Sequence, residues 1–94
     1  MTKERRFVRA IAGPKNSVIY FTDEGHRFQY VGGTRTWRNQ NPGNMVVGKV
    51  SRRNGLVGTA GRFAVFPGYE TGHTAHRRVA VSRALLLFHR QRFL

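Results

Sequence analysis

The segment from Trp37 to Asn44 constrains the fold more than any other part of the chain, and its sequence is Trp-Arg-Asn-Gln-Asn-Pro-Gly-Asn. Proline lacks a backbone donor, while glycine and asparagine favour turns, so the segment predicts an irregular loop that is neither helix nor strand. Its polar amides either close turns on their own backbone or present hydrogen bonds to a ligand. Which of the two they do decides how much function the sequence reveals.

Before this loop, the sequence predicts a three-stranded antiparallel meander. We expect its strands at Phe7–Ala12, Val18–Thr22 and His26–Val31, with turns at Gly13–Ser17 and Asp23–Gly25. The second strand is rich in β-branched and aromatic residues, which favours a central position. Alternation predicts which side chains share one face in the first and third strands, namely Phe7, Arg9 and Ile11, and Phe28 and Tyr30.

After the glycine pair Gly32-Gly33, the middle of the chain is dominated by turns. The expected elements there are a brief strand or helical turn at Met45–Val47, a short helix at Val50–Asn54, a turn at Thr59–Gly61 and a short strand at Arg62–Phe66. From Tyr69 onward the apolar residues recur every three to four positions, which predicts a long amphipathic helix. The recurring residues are Ala75, Val79, Ser82, Leu86 and Phe93.

These elements predict one small α+β domain, because 94 residues suffice for a single modest core. The meander occupies residues 1–32, a signature loop region with a short strand occupies 33–68, and the C-terminal helix occupies 69–94 and packs on the sheet.

The net charge of +13 comes from seventeen basic residues against four acidic ones, and fourteen of the seventeen are arginine. Such an excess favours salt-sensitive association with polyanions, among them nucleic acid, anionic lipid and acidic cell-wall polymers. An arginine-rich balance is also what a GC-rich coding sequence produces, and both interpretations stay open. The chain has no cysteine, which excludes disulfides and thiolate chemistry.

Catalytic candidates are few. Hydrolytic acid–base chemistry usually needs two carboxylates, and the candidates are Glu24 at a hairpin tip and Glu70 at the helix start. Glu70, His73 and His76 share a helical face, but their spacing is not a zinc signature, and we expect neither a metal nor a cofactor. No nucleophile elbow or phosphate-binding loop is present. The residues leave enzymatic activity open and weigh against it.

The chain has no apolar run of the length that a signal peptide or a membrane span requires. The longest run is Ala84–Phe88. We therefore expect a cytoplasmic location, with export by phage or secretion machinery as the open alternative.

Two blocks of the sequence carry a family resemblance. The first block is Gly33–Asn44 with its Arg-Asn-Gln-Asn-Pro-Gly-Asn core, and the second is Gly61–Pro67 with Phe-Ala-Val-Phe, followed by Glu70-Thr71-Gly72. Together they resemble a small domain of phage virion proteins and of secreted or toxin-like bacterial proteins. The resemblance implies docking to, or action on, cell-wall peptidoglycan. It also implies a shared loop with Phe63 and Phe66 packed beneath it, and the loop residues are Arg38, Asn39, Asn41, Pro42, Gly43 and Asn44.

Three functional hypotheses follow. The leading one is a non-catalytic or degenerate domain that binds cell-envelope glycan through the signature loop. Its expected contact residues are Arg35, Trp37, Arg38, Asn39, Asn41 and Asn44. The second is a small basic protein that binds nucleic acid or another polyanion, and the third is a peptidoglycan hydrolase that uses Glu24 or Glu70. The oligomeric state stays open.

Overall fold

A computed structural model describes the backbone of residues 6–92 and the side chains of residues 6–81. The fold is α+β, as predicted: a five-stranded mixed sheet with a long C-terminal helix packed on it. In chain order, the elements are β1 (Phe7–Gly13), β2 (Ser17–Thr22), β3 (Arg27–Val31), α1 (Arg35–Arg38), α2 (Lys49–Arg53), β4 (Gly58–Ala60), β5 (Phe63–Val65) and α3 (Tyr69–Arg92).

The order of strands in the sheet is β3-β2-β1-β4-β5. The first three strands pair antiparallel, so that β2 lies between β1 and β3. The centre of the whole sheet is β1, however, because β4 pairs with it in parallel. The predicted turn at Thr59–Gly61 is therefore wrong at Thr59 and Ala60, which belong to β4. The chain reverses instead at Gly61, which has a positive φ of 60°.

A β-bulge between Phe7 and Arg9 changes the faces of β1. The predicted face of Phe7, Arg9 and Ile11 is wrong, because Phe7 and Ala10 are buried while Arg9 and Ile11 are exposed. A bulge places one extra residue in the strand and shifts all later side chains to the opposite face. Alternation in a single sequence carries no sign of it. In β3 the predicted alternation is correct.

Two clusters of buried apolar side chains form the core. The first lies on one face of the sheet and consists of Phe7, Ala10, Val18, Tyr20 and Val65. The second joins β5 to the C-terminal helix and consists of Ala64, Phe66 and Ala75, with Met45, Val47 and Leu56 packed against it.

The helix α3 enters this second cluster through Ala75, while Val79 is half-buried. Of the other residues in its predicted apolar stripe, Ser82, Leu86 and Phe93 lie outside the residues with described side chains. None of the helices in the described part of the chain has the length and apolar composition of a membrane span.

The signature segment is not wholly irregular, because Trp37 and Arg38 belong to the short helix α1. Thr34 caps this helix, since its side-chain oxygen accepts a hydrogen bond from the Trp37 backbone N–H at 3.2 Å. The helix ends at Arg38, and Gln40, two residues later, has a positive φ of 49°. The prediction that the segment contains no helix is therefore wrong at Trp37 and Arg38. The residue that caps the helix, Thr34, lies before the Trp37–Asn44 segment.

Candidate functional site

The side chain of Asn41 is buried and fully used inside the protein. Its Nδ2 donates to the carbonyl oxygens of Met45 and Ala64, both at 2.9 Å, and its Oδ1 accepts from the Met45 N–H at 2.9 Å. An asparagine amide offers two donors and one acceptor group. This amide therefore holds the signature loop against the edge of β5 and is not exposed to a ligand.

The other two asparagines have different surroundings. Asn39 is only 1% exposed, and its backbone donates to the Arg35 carbonyl at 3.0 Å and accepts from the Phe66 N–H at 2.9 Å. Its side-chain Nδ2 has no hydrogen-bond partner among the described residues. Asn44 is exposed and has a positive φ of 49°. The three predicted contact amides thus do not meet on one surface.

The two predicted arginines are also held by the protein itself. Arg38 Nη1 donates to the carbonyl oxygens of Gly32 and Gly33, at 3.0 and 2.8 Å, where the chain leaves the meander. The Arg35 guanidinium lies 4.2 Å from the centroid of the Phe63 ring. Arg38 therefore fixes the turn that leads into α1, and Arg35 covers the strand β5.

Trp37 is a predicted contact residue whose large aromatic ring reaches the surface, and the residue is 51% exposed. Its ring stacks on Tyr30 at 5.0 Å between centroids and an interplanar angle of 25°. Tyr69, at the start of α3, lies across from them and is 58% exposed. We call the space between these rings the aromatic cleft. It has a volume of about 410 Å³ and is lined by Tyr30, Thr36, Trp37, Gln40, Pro42 and Tyr69.

None of these six lining residues is charged, although the whole protein carries a net charge of +13. Thr36 and Gln40 place a hydroxyl and an amide beside the rings, and the Gln40 Nε2 also donates to the Phe66 carbonyl at 3.3 Å. Gln40 is held in the cleft by close packing of α3 on the loop. This packing is so close that a Cβ on Gly72 would collide with the Gln40 carbonyl oxygen. The cleft combines flat apolar surfaces with neutral hydrogen-bonding groups.

A second concave surface lies between α2 and α3, and we call it the basic groove. It consists of two adjoining cavities of about 580 and 480 Å³. Both are lined by Arg53, Asn54, Thr74 and Arg78, and the larger one also by Val50, Arg77 and Val81. The Arg78 guanidinium donates to Asn54 Oδ1. The larger cavity has no carboxylate among its described lining residues.

The two candidate catalytic carboxylates are not brought together in any of these cavities. Glu70 is exposed in the first turn of α3 and lines the smaller cavity of the basic groove. Glu24 is exposed in the turn between β2 and β3 and lines neither the groove nor the cleft. Among the described residues, no group of three or more His, Asp or Glu side chains is arranged to hold a metal ion.

Tyr20 connects the core of the sheet to the signature loop. Its hydroxyl donates to the Arg38 backbone carbonyl. Burial raises the pKa of Tyr20 well above its ordinary value, and a hydrogen bond with the Gln40 side chain opposes part of that rise. The phenol is therefore a neutral donor that supports the loop beneath the aromatic cleft.

Sequence reasoning identified Trp37 but missed its partners in the cleft. Tyr30 was assigned to a sheet face and Tyr69 to a helix start, and residues 39 apart in sequence carry no local signal that they meet. The basic groove was missed for the same reason, because Arg53 lies in α2 and Arg77 and Arg78 lie in α3. Comparison of the chain with protein-family models, curated proteins and solved structures finds no match.

Proposed function

We propose that this protein binds a cell-envelope glycan of the peptidoglycan type in the aromatic cleft, without catalysis. The observation that carries this proposal is the pair of exposed rings, Trp37 and Tyr69, in an uncharged cleft of a strongly basic protein. Sites for small molecules combine apolar and aromatic walls with a few polar groups that fix orientation. A sugar ring has both an apolar face and a rim of hydroxyls, and it matches this combination.

Because none of the described lining residues is charged, the cleft favours a sugar over a phosphate. A phosphate group would need arginine, lysine or convergent N–H donors. The described lining residues include no arginine or lysine, and their side-chain hydrogen-bonding groups are those of Thr36 and Gln40, the tyrosine hydroxyls and the Trp37 indole N–H. The basic remainder of the protein has a different part in the proposal. Its long-range electric field raises the local concentration of acidic wall polymers. We therefore expect this attraction to weaken with salt, while the contacts of the glycan inside the cleft do not.

The proposal assigns a supporting part to most of the signature loop. Asn41 anchors the loop to β5, and Arg38 fixes the glycine turn before α1. Both act on the backbone that carries Trp37 and Gln40. The expected contacts of the glycan are therefore Trp37, Tyr69 and Gln40, instead of the amides of Asn39 and Asn41.

The test is an NMR titration of the protein with soluble muropeptides and with chitooligosaccharides. We expect shift changes centred on Trp37, including its indole N–H, and on Gln40. Trp37→Ala should abolish them, whereas Val31→Ala, which shortens another exposed apolar side chain, should not. Unchanged indole and Gln40 signals at millimolar ligand would exclude the cleft as a glycan site.

The basic groove favours a second candidate function, the binding of nucleic acid or another polyanion. Arg53, Arg77 and Arg78 line one cavity that has no carboxylate among its described lining residues, and Glu70 lines the adjoining smaller cavity. Arginine binds phosphate through paired N–H donors, and each phosphate neutralised adds to the salt dependence of affinity.

Fluorescence anisotropy with a labelled oligonucleotide tests this candidate. The variant Arg53→Gln/Arg77→Gln should weaken binding. It should also reduce the slope of log affinity against log salt concentration by the amount that corresponds to about two phosphate contacts. Arg9→Gln/Arg27→Gln removes the same charge from exposed strand positions and serves as the matched control. Equal losses in both double variants would show attraction to net charge alone and would reject the groove as the site.

A further inference from the structure

Asn39, whose side-chain Nδ2 is buried and has no partner among the described residues, is one of the residues that line a small cavity distinct from both surfaces described above. The cavity has a volume of about 190 Å³ and lies between the β1–β2 hairpin, α1 and the end of β4. Its lining residues are Ala12, Gly13, Asn16, Ser17, Val18, Arg35, Arg38, Asn39, Ala60 and Gly61. Asn39 is 1% exposed and its Nδ2 has no partner among the described residues.

A buried donor without a partner is costly, and native proteins rarely keep one unless something occupies the site. The cost is avoidable at this position, because the Asn39 backbone already makes its own hydrogen bonds to Arg35 and Phe66. An apolar side chain of similar size would leave those backbone bonds in place. The presence of an amide donor that the fold does not use therefore calls for an acceptor.

The chemistry of the other lining groups indicates what this acceptor is. Arg35 and Arg38 both line the cavity, and no carboxylate is among its described lining residues. Arg38 uses Nη1 for the carbonyls of Gly32 and Gly33, and an arginine has five N–H donors in all, so further donors remain. Two guanidinium groups and an amide N–H are thus available as donors, and the described lining residues include no carboxylate to neutralise the two positive charges.

We propose that this cavity binds a small oxyanion, a phosphate or a carboxylate group, through Asn39 Nδ2 and the guanidinium groups of Arg35 and Arg38. The cavity is smaller than the range of about 300–1,000 Å³ that is usual for drug-sized ligands, so it accepts one such group and not a sugar ring or a base. This site is independent of the proposed glycan function, since the aromatic cleft shares no lining residue with it.

The experiment observes the Asn39 side chain directly. In ¹⁵N-labelled protein, the Nδ2H₂ resonances of Asn39 are followed during separate additions of inorganic phosphate, sodium acetate and sodium chloride at matched ionic strength. We expect a saturable shift with phosphate, with acetate or with both, and none with chloride. A response to one of the two oxyanions assigns the group that the cavity prefers. No shift with either at tens of millimolar would mean that water fills the cavity, and would overturn the proposal.

A pair of variants separates this site from general attraction to a basic surface. Asn39→Leu should weaken oxyanion binding roughly tenfold, because a hydrogen bond to a charged group is lost. Arg9→Gln/Arg27→Gln lowers the net charge at exposed strand positions and should leave the Asn39 response in place. Because the leucine variant lacks the reporter amide, its binding is read from the backbone signals of Gly13 and Gly61. If it binds phosphate and acetate as the parent protein does, the assignment fails.

Discussion

The hydroxyl of Tyr20, in the middle strand of the meander, donates a hydrogen bond to the backbone carbonyl of Arg38, at the end of α1. Tyr20 is completely buried, and its ring packs on Phe7 and Tyr30. Tyr30 in turn stacks on Trp37. Tyr20 therefore connects the aromatic core of the sheet to Arg38 directly and to the exposed Trp37 through Tyr30.

Replacement of Tyr20 by phenylalanine should lower the free energy of unfolding by about 1–3 kcal/mol, because the Arg38 carbonyl loses its donor inside the protein while the ring packing stays. Urea denaturation at neutral pH measures the loss. Tyr69→Phe removes an exposed hydroxyl and should change stability little. A Tyr20→Phe variant as stable as the parent would show that the bond to Arg38 contributes nothing.

The same residue predicts a loss of stability at alkaline pH. Burial raises the pKa of Tyr20 in the folded protein above the value of about 10 in the unfolded chain. The unfolded state then releases the proton first, so stability is fully present below pH 10 and falls as the pH rises beyond it. Denaturation curves between pH 9 and pH 11 should show a fall that is smaller in Tyr20→Phe. Parallel curves for the two proteins would contradict this.

Asn41 should be the most sensitive polar residue of the signature loop. Asn41→Ala leaves the Met45 N–H and the carbonyls of Met45 and Ala64 without their partner in a buried place. We expect a loss of roughly 2–4 kcal/mol in unfolding free energy. Asn44→Gly removes an exposed amide and keeps a residue that tolerates a positive φ, and it should be neutral within about 0.5 kcal/mol. Similar effects of the two changes would show that the internal hydrogen bonds of Asn41 are not what stabilises the loop.

The fold class and most strand positions followed from local patterns, because β-branched runs, turn residues and helical spacing are all visible in a few neighbouring residues. The errors arose where distant residues decide the outcome. Thr59 and Ala60 were predicted to form a turn, but Thr59 pairs with Ile11 of β1, far earlier in the sequence, and Ala60 pairs with Phe63 of β5. Asn39 and Asn41 look equivalent in the sequence, yet the position of Ala64 gives only Asn41 its partners.

In the aromatic cleft too, the sequence predicted what neighbouring residues determine and missed what distant residues determine. Trp37 was predicted as a contact residue from its place in the loop, and it does reach the surface. Its neighbours Tyr30 and Tyr69 come from a strand and a helix on either side of the loop. A loop motif therefore identified one wall of the cleft, and only tertiary packing supplied the others.

Gly72 should resist replacement although it lies in a helix. At a solvent-exposed position inside a helix, replacing glycine by alanine stabilises the protein by about 1 kcal/mol. Here a Cβ would collide with the backbone carbonyl of Gln40, so Gly72→Ala should destabilise by about 1–3 kcal/mol and displace the loop that lines the aromatic cleft. Gly68→Ala is the matched control, because nothing lies near its Cβ position. Thermal unfolding of both variants gives the comparison, and a gain of stability in Gly72→Ala would mean that α3 does not pack this closely on the loop.

Gly58 should be the residue on which the parallel pairing of β4 with β1 depends. A Cβ at this position would collide with the backbone carbonyl group of Ala10, which cannot rotate away as a side chain could. Gly58→Ala should therefore destabilise the protein by about 1–3 kcal/mol or more, whereas Gly48→Ala, with open space around it, should have a small effect. Hydrogen exchange identifies the mechanism, because the Ala10 N–H donates to the Val57 carbonyl at 2.9 Å and should lose protection before β2 and β3 do. Protection at Ala10 that stays equal to the parent would show that β4 is not held against β1 through this glycine.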